Sequence, residues 1–144
     1  MTGPDDVPPA DLARLRAICL ALPDAYEEPA WEGVRWLVRG RTFAHVLTVQ
    51  DAQPPAFARA AGLGPGDEPS VVLTFRSASP ELETLRAMGP PFFPAPWGPD
   101  VVGMRLGAGT DWSEVGELLT ESFLVRAPRA LGDAVRMGSV QPRE

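Results

Sequence analysis

Three arginines surround a single glycine in the sequence WEGVRWLVRGRTFAHVL, which spans residues 31–47. They are Arg35, Arg39 and Arg41, and no acidic residue lies between Gly33 and Gln50. Guanidinium groups at this spacing on an exposed hairpin can contact the phosphates of a nucleic acid, and such contacts position a protein on DNA. Charged residues are also typical of the solvated tip of a hairpin. The stretch is therefore a candidate DNA-binding wing, with a solvated turn as the alternative.

The segment GPPFFPAPWGP, residues 89–99, is a second candidate site. Its five prolines and two glycines predict an irregular loop. Its three large aromatic residues either pack against the domain or form an exposed binding loop, and packing is favoured because aromatic surface left in water is costly. The predicted hairpin also places Trp36 beside His45 on one face. The candidate patch for a ligand or a protein partner is Trp36, His45, Phe92, Phe93 and Trp97, and Trp97 is also a candidate stacking residue for a nucleic acid.

Four acidic residues, Asp24, Glu27, Glu28 and Glu32, lie between the first predicted helix and the hairpin. Carboxylates crowded in this way can hold a hard cation, but calcium loops use a stricter spacing with a turn glycine. A solvated charged edge is the favoured interpretation. We therefore predict no metal site here.

Catalytic motifs are missing from the sequence. The chain contains one histidine, His45, and one cysteine, Cys19, which is too few for a typical zinc site. The local signatures of serine hydrolases, P-loop enzymes, dinucleotide-binding enzymes and zinc proteases do not occur. Cys19 lies on the apolar stripe of a predicted helix, which favours a small core residue over a reactive thiol. The sequence predicts a protein that is not an enzyme and has no cofactor.

Composition is typical of one ordinary globular domain. The 144 residues are 44% hydrophobic and 22% charged, and the formal net charge is −6. All thirteen basic residues are arginine, and a net negative charge opposes long-range attraction to DNA. No apolar run approaches the roughly 20 residues that span a bilayer, and the first ten residues lack the pattern of a signal peptide. We expect a cytoplasmic protein with no membrane partner.

The periodicity of apolar residues predicts the elements that position these sites. A first helix begins near Pro8, and two strands with a two-residue turn at Gly40 and Arg41 form the hairpin. Further helices are predicted at 56–61, at 79–88 with Ser79 as the N-cap, and from Asp111 with a buried stripe that begins at Trp112. Strands are predicted at 26–32, 36–38, 42–49, 71–75 and 101–106. This order predicts an α+β fold with one mostly antiparallel sheet and helices packed on one face, with a lead-in at 1–7, a domain at 8–131 and a tail at 132–144.

Several segments resemble the MmcQ/YjbR family, in order, from about Leu12 to Leu131. They are ALPDAYEEPAW, WLVRGRTFAHV, VVLTFRSASPELETLR, PWGPDVVGMRL and DWSEVGELLTESFLVRAPRAL. The resemblance implies a small α+β domain of CyaY-like type, often described as a double-wing DNA-binding module, with no established enzymatic activity. Many relatives carry a basic segment before the penultimate strand, where this chain has residues 94–99, PAPWGP.

Together, these observations predict a binding domain without catalytic activity. The first hypothesis is that the aromatic loop and the sheet bind a small molecule or a protein. The alternative hypothesis is that Arg35, Arg39 and Arg41 bind DNA from the hairpin wing. The net charge of −6 favours the first hypothesis.

Overall fold

The computed structural model describes the backbone of residues 7–140 and the side chains of residues 7–137. Six strands form one sheet in the order β1-β2-β3-β4-β6-β5, and every neighbouring pair is antiparallel. The elements are α1 (Pro9–Cys19), β1 (Tyr26–Pro29), β2 (Val34–Val38), β3 (Arg41–Val49), α2 (Pro55–Ala61), β4 (Ser70–Arg76), α3 (Glu81–Ala87), β5 (Phe92–Pro94), β6 (Val101–Leu106), α4 (Trp112–Arg126) and α5 (Arg129–Val140). The predicted α+β fold with an antiparallel sheet is confirmed.

The two faces of the sheet are covered differently. Alternate residues of β4 show this division, because Leu73 and Phe75 belong to the core beneath α1, α3 and α4, whereas Val72 belongs to a second core beneath α2. We call these the helical face and the α2 face. Helices α1, α3 and α4 therefore share one face, as predicted, and helix α2 lies on the other.

Helix α4 is the main cover of the helical face. Asp111 caps it, because its carboxylate accepts hydrogen bonds from the N–H groups of Ser113 at 3.0 Å and Glu114 at 3.2 Å. The predicted stripe is buried at Val115, Leu118, Leu119 and Phe123, and Trp112 is half-buried beneath the guanidinium of Arg14. The cap and the stripe from Val115 onward agree with the prediction, whereas Trp112 is half-buried and not fully buried as predicted.

Helix α3 begins differently from the prediction. Its first residue is Glu81, and Pro80 occupies the N-cap position without a side-chain hydrogen bond. The Ser79 hydroxyl, predicted to cap the helix, instead donates to the carboxylate of Glu83 at 2.7 Å. The prediction was wrong because the Ser79 side chain pairs with a carboxylate rather than with backbone N–H groups.

The segment predicted to be irregular contains the edge strand β5. Phe92 pairs with Met104 and Phe93 pairs with Gly103. Prolines are compatible with a strand at this position because an edge strand has one side that donates no ladder hydrogen bonds. The ring of Phe93 lies over Gly103, where an added Cβ would come within 2.2 Å of the ring. At the opposite edge of the sheet, β1 also ends in a proline, Pro29.

Described structure continues into the predicted lead-in and the predicted tail. Val7, which we placed in the lead-in, is buried in the core on the helical face. Helix α5 runs without a break across residues 131 and 132, where we placed the start of the tail. Residues 1–6 of the lead-in and 141–144 of the tail lie outside the described residues.

Candidate functional site

The hairpin of β2 and β3 turns one residue earlier than predicted. Arg39 and Gly40 form the turn, with φ of 51° and 78°, and positive φ at both central residues is the mark of a type I′ turn. Val38 therefore pairs with Arg41, and the predicted turn at Gly40 and Arg41 was wrong. Alternation of side chains alone does not define which two residues occupy the turn.

A β-bulge in the hairpin changes which side chains lie together. Leu37 pairs with Thr42 and Trp36 pairs with Ala44, so that Phe43 is the extra residue between them. A bulge turns an additional side chain toward one face of a sheet. Phe43 accordingly packs edge-on against Phe123 of α4, with ring centroids 5.5 Å apart.

The same bulge separates Trp36 from His45, which we had predicted to be neighbours. Arg35, not Trp36, is the residue opposite His45. Trp36 is completely buried in the helical-face core, whereas His45 lies on the α2 face. The predicted pairing was wrong because the earlier turn and the extra residue in β3 together change the register by one position, which places Trp36 and His45 on opposite faces.

Of the five residues in the predicted patch, the structure brings His45 and Trp97 to one place. Phe57 of α2 joins them, since its ring stacks on Trp97 at 4.3 Å between centroids and meets His45 edge-on at 5.7 Å. Phe93 is buried on the same face, whereas Phe92 and Trp36 are buried on the helical face. Sequence reasoning missed Phe57, and the available signal was its position as the one aromatic residue in the predicted helix 56–61.

The predicted arginine wing and the predicted acidic cluster pair with each other. Arg35 Nη2 lies 2.8 Å from Glu28 Oε1, and Arg39 Nη2 lies 2.9 Å from Asp24 Oδ2. Arg41 is exposed and has no acidic side chain within ion-pair distance among the described residues. Two of the three wing charges are therefore compensated within the domain.

Glu27, the central residue of the acidic cluster, has a structural role. Its carboxylate accepts two hydrogen bonds from Arg16, of 2.9 and 2.8 Å, and one of 3.1 Å from the indole N–H of Trp36. These bonds, led by those from Arg16, hold the pKa of Glu27 below its ordinary value. Within residues 7–137, no three histidine, cysteine or acidic side chains come together as metal ligands.

A groove of about 200 Å³ lies beside the stacked rings on the α2 face. His45 and Thr74 come from its two central strands, Phe57 and Trp97 form an aromatic side, and Arg76 lies at its end. We call this site the aromatic groove. The side chain of Trp97 is 41% exposed, unlike those of Phe92 and Phe93.

The groove lies where β3 and β4 separate. The last paired residues are Ala44 and Phe75, and the hydroxyl of Ser122 from α4 occupies the gap beyond them. This buried hydroxyl donates to the carbonyl of Phe43 and accepts from the N–H of Arg76 at 2.7 Å. The ends of both strands therefore keep their hydrogen bonds while the sheet opens at the groove.

His45 provides a neutral hydrogen-bonding group in the groove. Its Nε2 lies against the carbonyl oxygen of Glu32, and because a carbonyl only accepts, Nε2 carries the proton. Burial lowers the pKa of His45 below its ordinary value of 6.5, and the charge of Arg35 lowers it further. Nδ1 is then an acceptor that makes no hydrogen bond within the described part of the chain.

These features define a small single-domain α+β protein with an aromatic groove on one face of its sheet. The family model named YjbR matches residues 20–125, and the chain belongs to the YjbR family. No helix within the described residues has the length and apolar character needed to cross a membrane.

A solved structure supports the fold. The crystal structure of a protein from Pseudomonas syringae, a structural genomics target, superposes with a TM-score of 0.50 at 16% sequence identity, covering 73% of this chain and 79% of that one. At this identity the similarity concerns the fold alone. No curated protein shows significant sequence similarity to the chain.

Proposed function

We propose that this YjbR-family protein is a binding domain without catalytic activity, whose aromatic groove takes a small planar molecule. The observation that carries the proposal is the position of Trp97, which is held by stacking on Phe57 and is still 41% exposed beside the groove. A fixed, accessible aromatic ring beside a concave surface is typical of small-molecule sites. The concave shape favours a small molecule over a protein partner.

His45 lacks the surroundings of a general base, which is why the proposed function is binding without catalysis. A general base is usually oriented by a carboxylate and lies within reach of the proton that it removes. Here Nε2 is committed to the backbone carbonyl of Glu32, and no carboxylate hydrogen-bonds to the ring within residues 7–137. His45 is therefore assigned a role as a hydrogen-bonding group for the bound molecule.

The test is a titration with benzamide, a planar and uncharged probe, followed by ¹H–¹⁵N NMR spectra. We expect saturable shifts of the Trp97 indole N–H and of the backbone amides of His45 and Thr74, with a dissociation constant in the millimolar range for so small a probe. Trp97→Ala should weaken binding at least about fivefold, because the stacking surface is lost.

Trp31→Ala is the matched control, since Trp31 is 84% exposed and is not part of the groove lining. We expect this variant to bind benzamide as the wild type does. Absence of saturable shifts at the groove, or equal weakening by both tryptophan substitutions, would contradict the proposed function.

A further inference from the structure

Arg76 lines one end of the aromatic groove, and two further arginines, Arg41 and Arg126, lie beside that end. Arg76, at the end of β4, lines the groove. Arg126, at the end of α4, donates from Nε to the carbonyl of Thr42 at 3.2 Å, and Thr42 also lines the groove. Arg41 immediately precedes Thr42 and is close enough for its charge to act on Arg126. We call Arg41, Arg76 and Arg126 the arginine end of the groove.

Only one of these three arginines has a carboxylate partner among the described residues. Asp100 Oδ1 lies 2.8 Å from Arg76 Nη1, and neither Arg41 nor Arg126 has an acidic partner within ion-pair distance among the described residues. Three guanidinium groups and one carboxylate leave a local charge of +2, in a chain whose net charge is −6. The arginine end is thus a positive site on an acidic protein.

The arginine end also presents hydrogen-bond donors that the protein does not use. Arg76 hydrogen-bonds through Nη1, and Arg126 hydrogen-bonds through Nε. Nη2 of Arg76 and both terminal nitrogens of Arg126 make no hydrogen bond in the described part of the chain. The Arg76 side chain is only 23% exposed. Burial, and then the charges of Arg76 and Arg41, lower the pKa of Arg126. The charge of Asp100 acts in the opposite direction and offsets only part of this crowding of like charges.

We propose that the molecule bound in the aromatic groove is an aromatic acid, with its ring beside Trp97 and its carboxylate or phosphate held by Arg76 and Arg126. This inference rests on the proposed function and adds the chemical class of the ligand. Guanidinium groups bind oxyanions through paired N–H donors, which gives both affinity and orientation. A groove of about 200 Å³ is smaller than the sites of roughly 300 Å³ and more that take drug-sized ligands, so one ring with a short acidic group is the expected size.

The test compares three probes at equal ionic strength by NMR titration: benzamide, benzoate and phenyl phosphate. We expect at least one of the two acids to bind about tenfold more tightly than benzamide, because each forms charge-assisted hydrogen bonds that the amide lacks. Tighter binding of benzoate identifies a carboxylate as the preferred group, and tighter binding of phenyl phosphate identifies a phosphate. Either result supports the inference.

Substitutions at the arginine end test whether Arg126 is responsible for the tighter binding of an acid. Arg126→Gln should weaken binding of the preferred acid by a clearly larger factor than binding of benzamide, whereas Arg126→Lys should keep part of the preference because it keeps the charge. Arg105→Gln is the matched control, since Arg105 is exposed on β6 and pairs with Val72, away from the end of β4 that carries Arg76. An equal effect of Arg105→Gln and Arg126→Gln would overturn the assignment.

The salt dependence of binding to the wild-type protein tests the inference without any substitution. Added sodium chloride should weaken binding of the acid and not binding of benzamide, because chloride screens and competes for the guanidinium groups. If the acids and benzamide bind equally and with the same salt dependence, the aromatic acid is ruled out while the proposed function stands. If none of the three probes binds at the groove, the proposed function itself fails.

Discussion

The complete burial of Trp36 depends on an acidic residue at the sheet edge. A buried indole N–H needs an acceptor, and Glu27 Oε1 provides it at 3.1 Å. Arg16 holds that carboxylate from α1. The ion pair between Arg16 and Glu27 therefore links α1 to β1, and the same carboxylate accepts the hydrogen bond of the buried Trp36 indole.

Glu27→Gln tests this arrangement. We expect a loss of about 1 kcal/mol in unfolding free energy at pH 7, because the glutamine keeps an acceptor for Trp36 but loses the ion pair, which solvent screens in part. Glu27 has a lowered pKa in the folded state, so its contribution is complete above its ordinary pKa of 4.5 and is lost as the pH falls through the lower folded value. The difference between wild type and variant should shrink toward pH 3 in urea melts.

The control is Glu28→Gln, because the Glu28–Arg35 pair is about two-fifths exposed on both sides. Its cost should stay below about 0.5 kcal/mol. Equal costs for the two variants would show that the double contact of Glu27 with Arg16 adds nothing beyond an exposed ion pair.

His45, the one histidine of the chain, should titrate below its ordinary pKa of 6.5 because burial disfavours the charged ring. Its C2–H resonance in untagged protein measures this directly. The unfolded chain takes up the proton first, so the folded state should lose stability as the pH falls from 6.5 toward the folded pKa. His45→Gln should remove that part of the pH dependence. A midpoint at or above 6.5 would contradict the burial of the ring.

At the scale of elements, two glycines in and before the hairpin are required for different reasons. Gly33 and Gly40 both have positive φ, of 75° and 78°. A Cβ on Gly33 would lie 1.9 Å from the carbonyl oxygen of Val46, whereas a Cβ on Gly40 would meet no atom within 4 Å. Gly33 is thus constrained by packing against β3, and Gly40 only by the turn.

Replacing each glycine by alanine separates these constraints. Gly40→Ala should cost about 1 to 2 kcal/mol, the typical cost of a left-handed backbone for an L-residue. Gly33→Ala should cost clearly more, because the backbone of β3 must also move. Denaturant melts of the two variants provide the comparison. A Gly33→Ala cost no larger than that of Gly40→Ala would show that β3 moves without penalty.

Elements with local signals were predictable from the sequence, and those that depend on distant contacts were not. The cap and stripe of α4 follow from Asp111 and from apolar spacing within that one segment. The register of the hairpin depends on the bulge at Phe43, which is stabilised by Phe123 and Ser122 of α4. The aromatic groove likewise depends on Phe57 meeting residues from β3 and from the loop around Trp97. Side-chain periodicity in one segment carries no information about either arrangement.

At the scale of the whole molecule, the distribution of charge argues against DNA binding by the hairpin. The chain carries a net charge of −6, and Arg35 and Arg39 are already paired with carboxylates. Contact with phosphates would require these pairs to be broken in an overall repulsive field. We therefore favour a solvated turn over a DNA-binding wing as the interpretation of the hairpin tip.

We therefore expect no duplex DNA binding tighter than about 10⁻⁴ M, the weak end of non-specific affinity, even at low salt. Fluorescence anisotropy with a labelled duplex tests this. Micromolar binding would contradict the expectation, and it would implicate the hairpin if the combined Arg35→Ala, Arg39→Ala and Arg41→Ala substitutions reduced the salt dependence by about one unit per lost phosphate contact.

The short outer strands have a consequence for how these molecules behave at high concentration. Exposed strand edges are templates on which further chains add, and this is a common route to aggregation. Here β1 has four residues and β5 has three, and each ends in a proline, which removes a backbone donor from a length already too short to hold an added strand. We expect the native protein to resist edge-to-edge polymerisation, and Pro29→Val together with Pro94→Val to promote it.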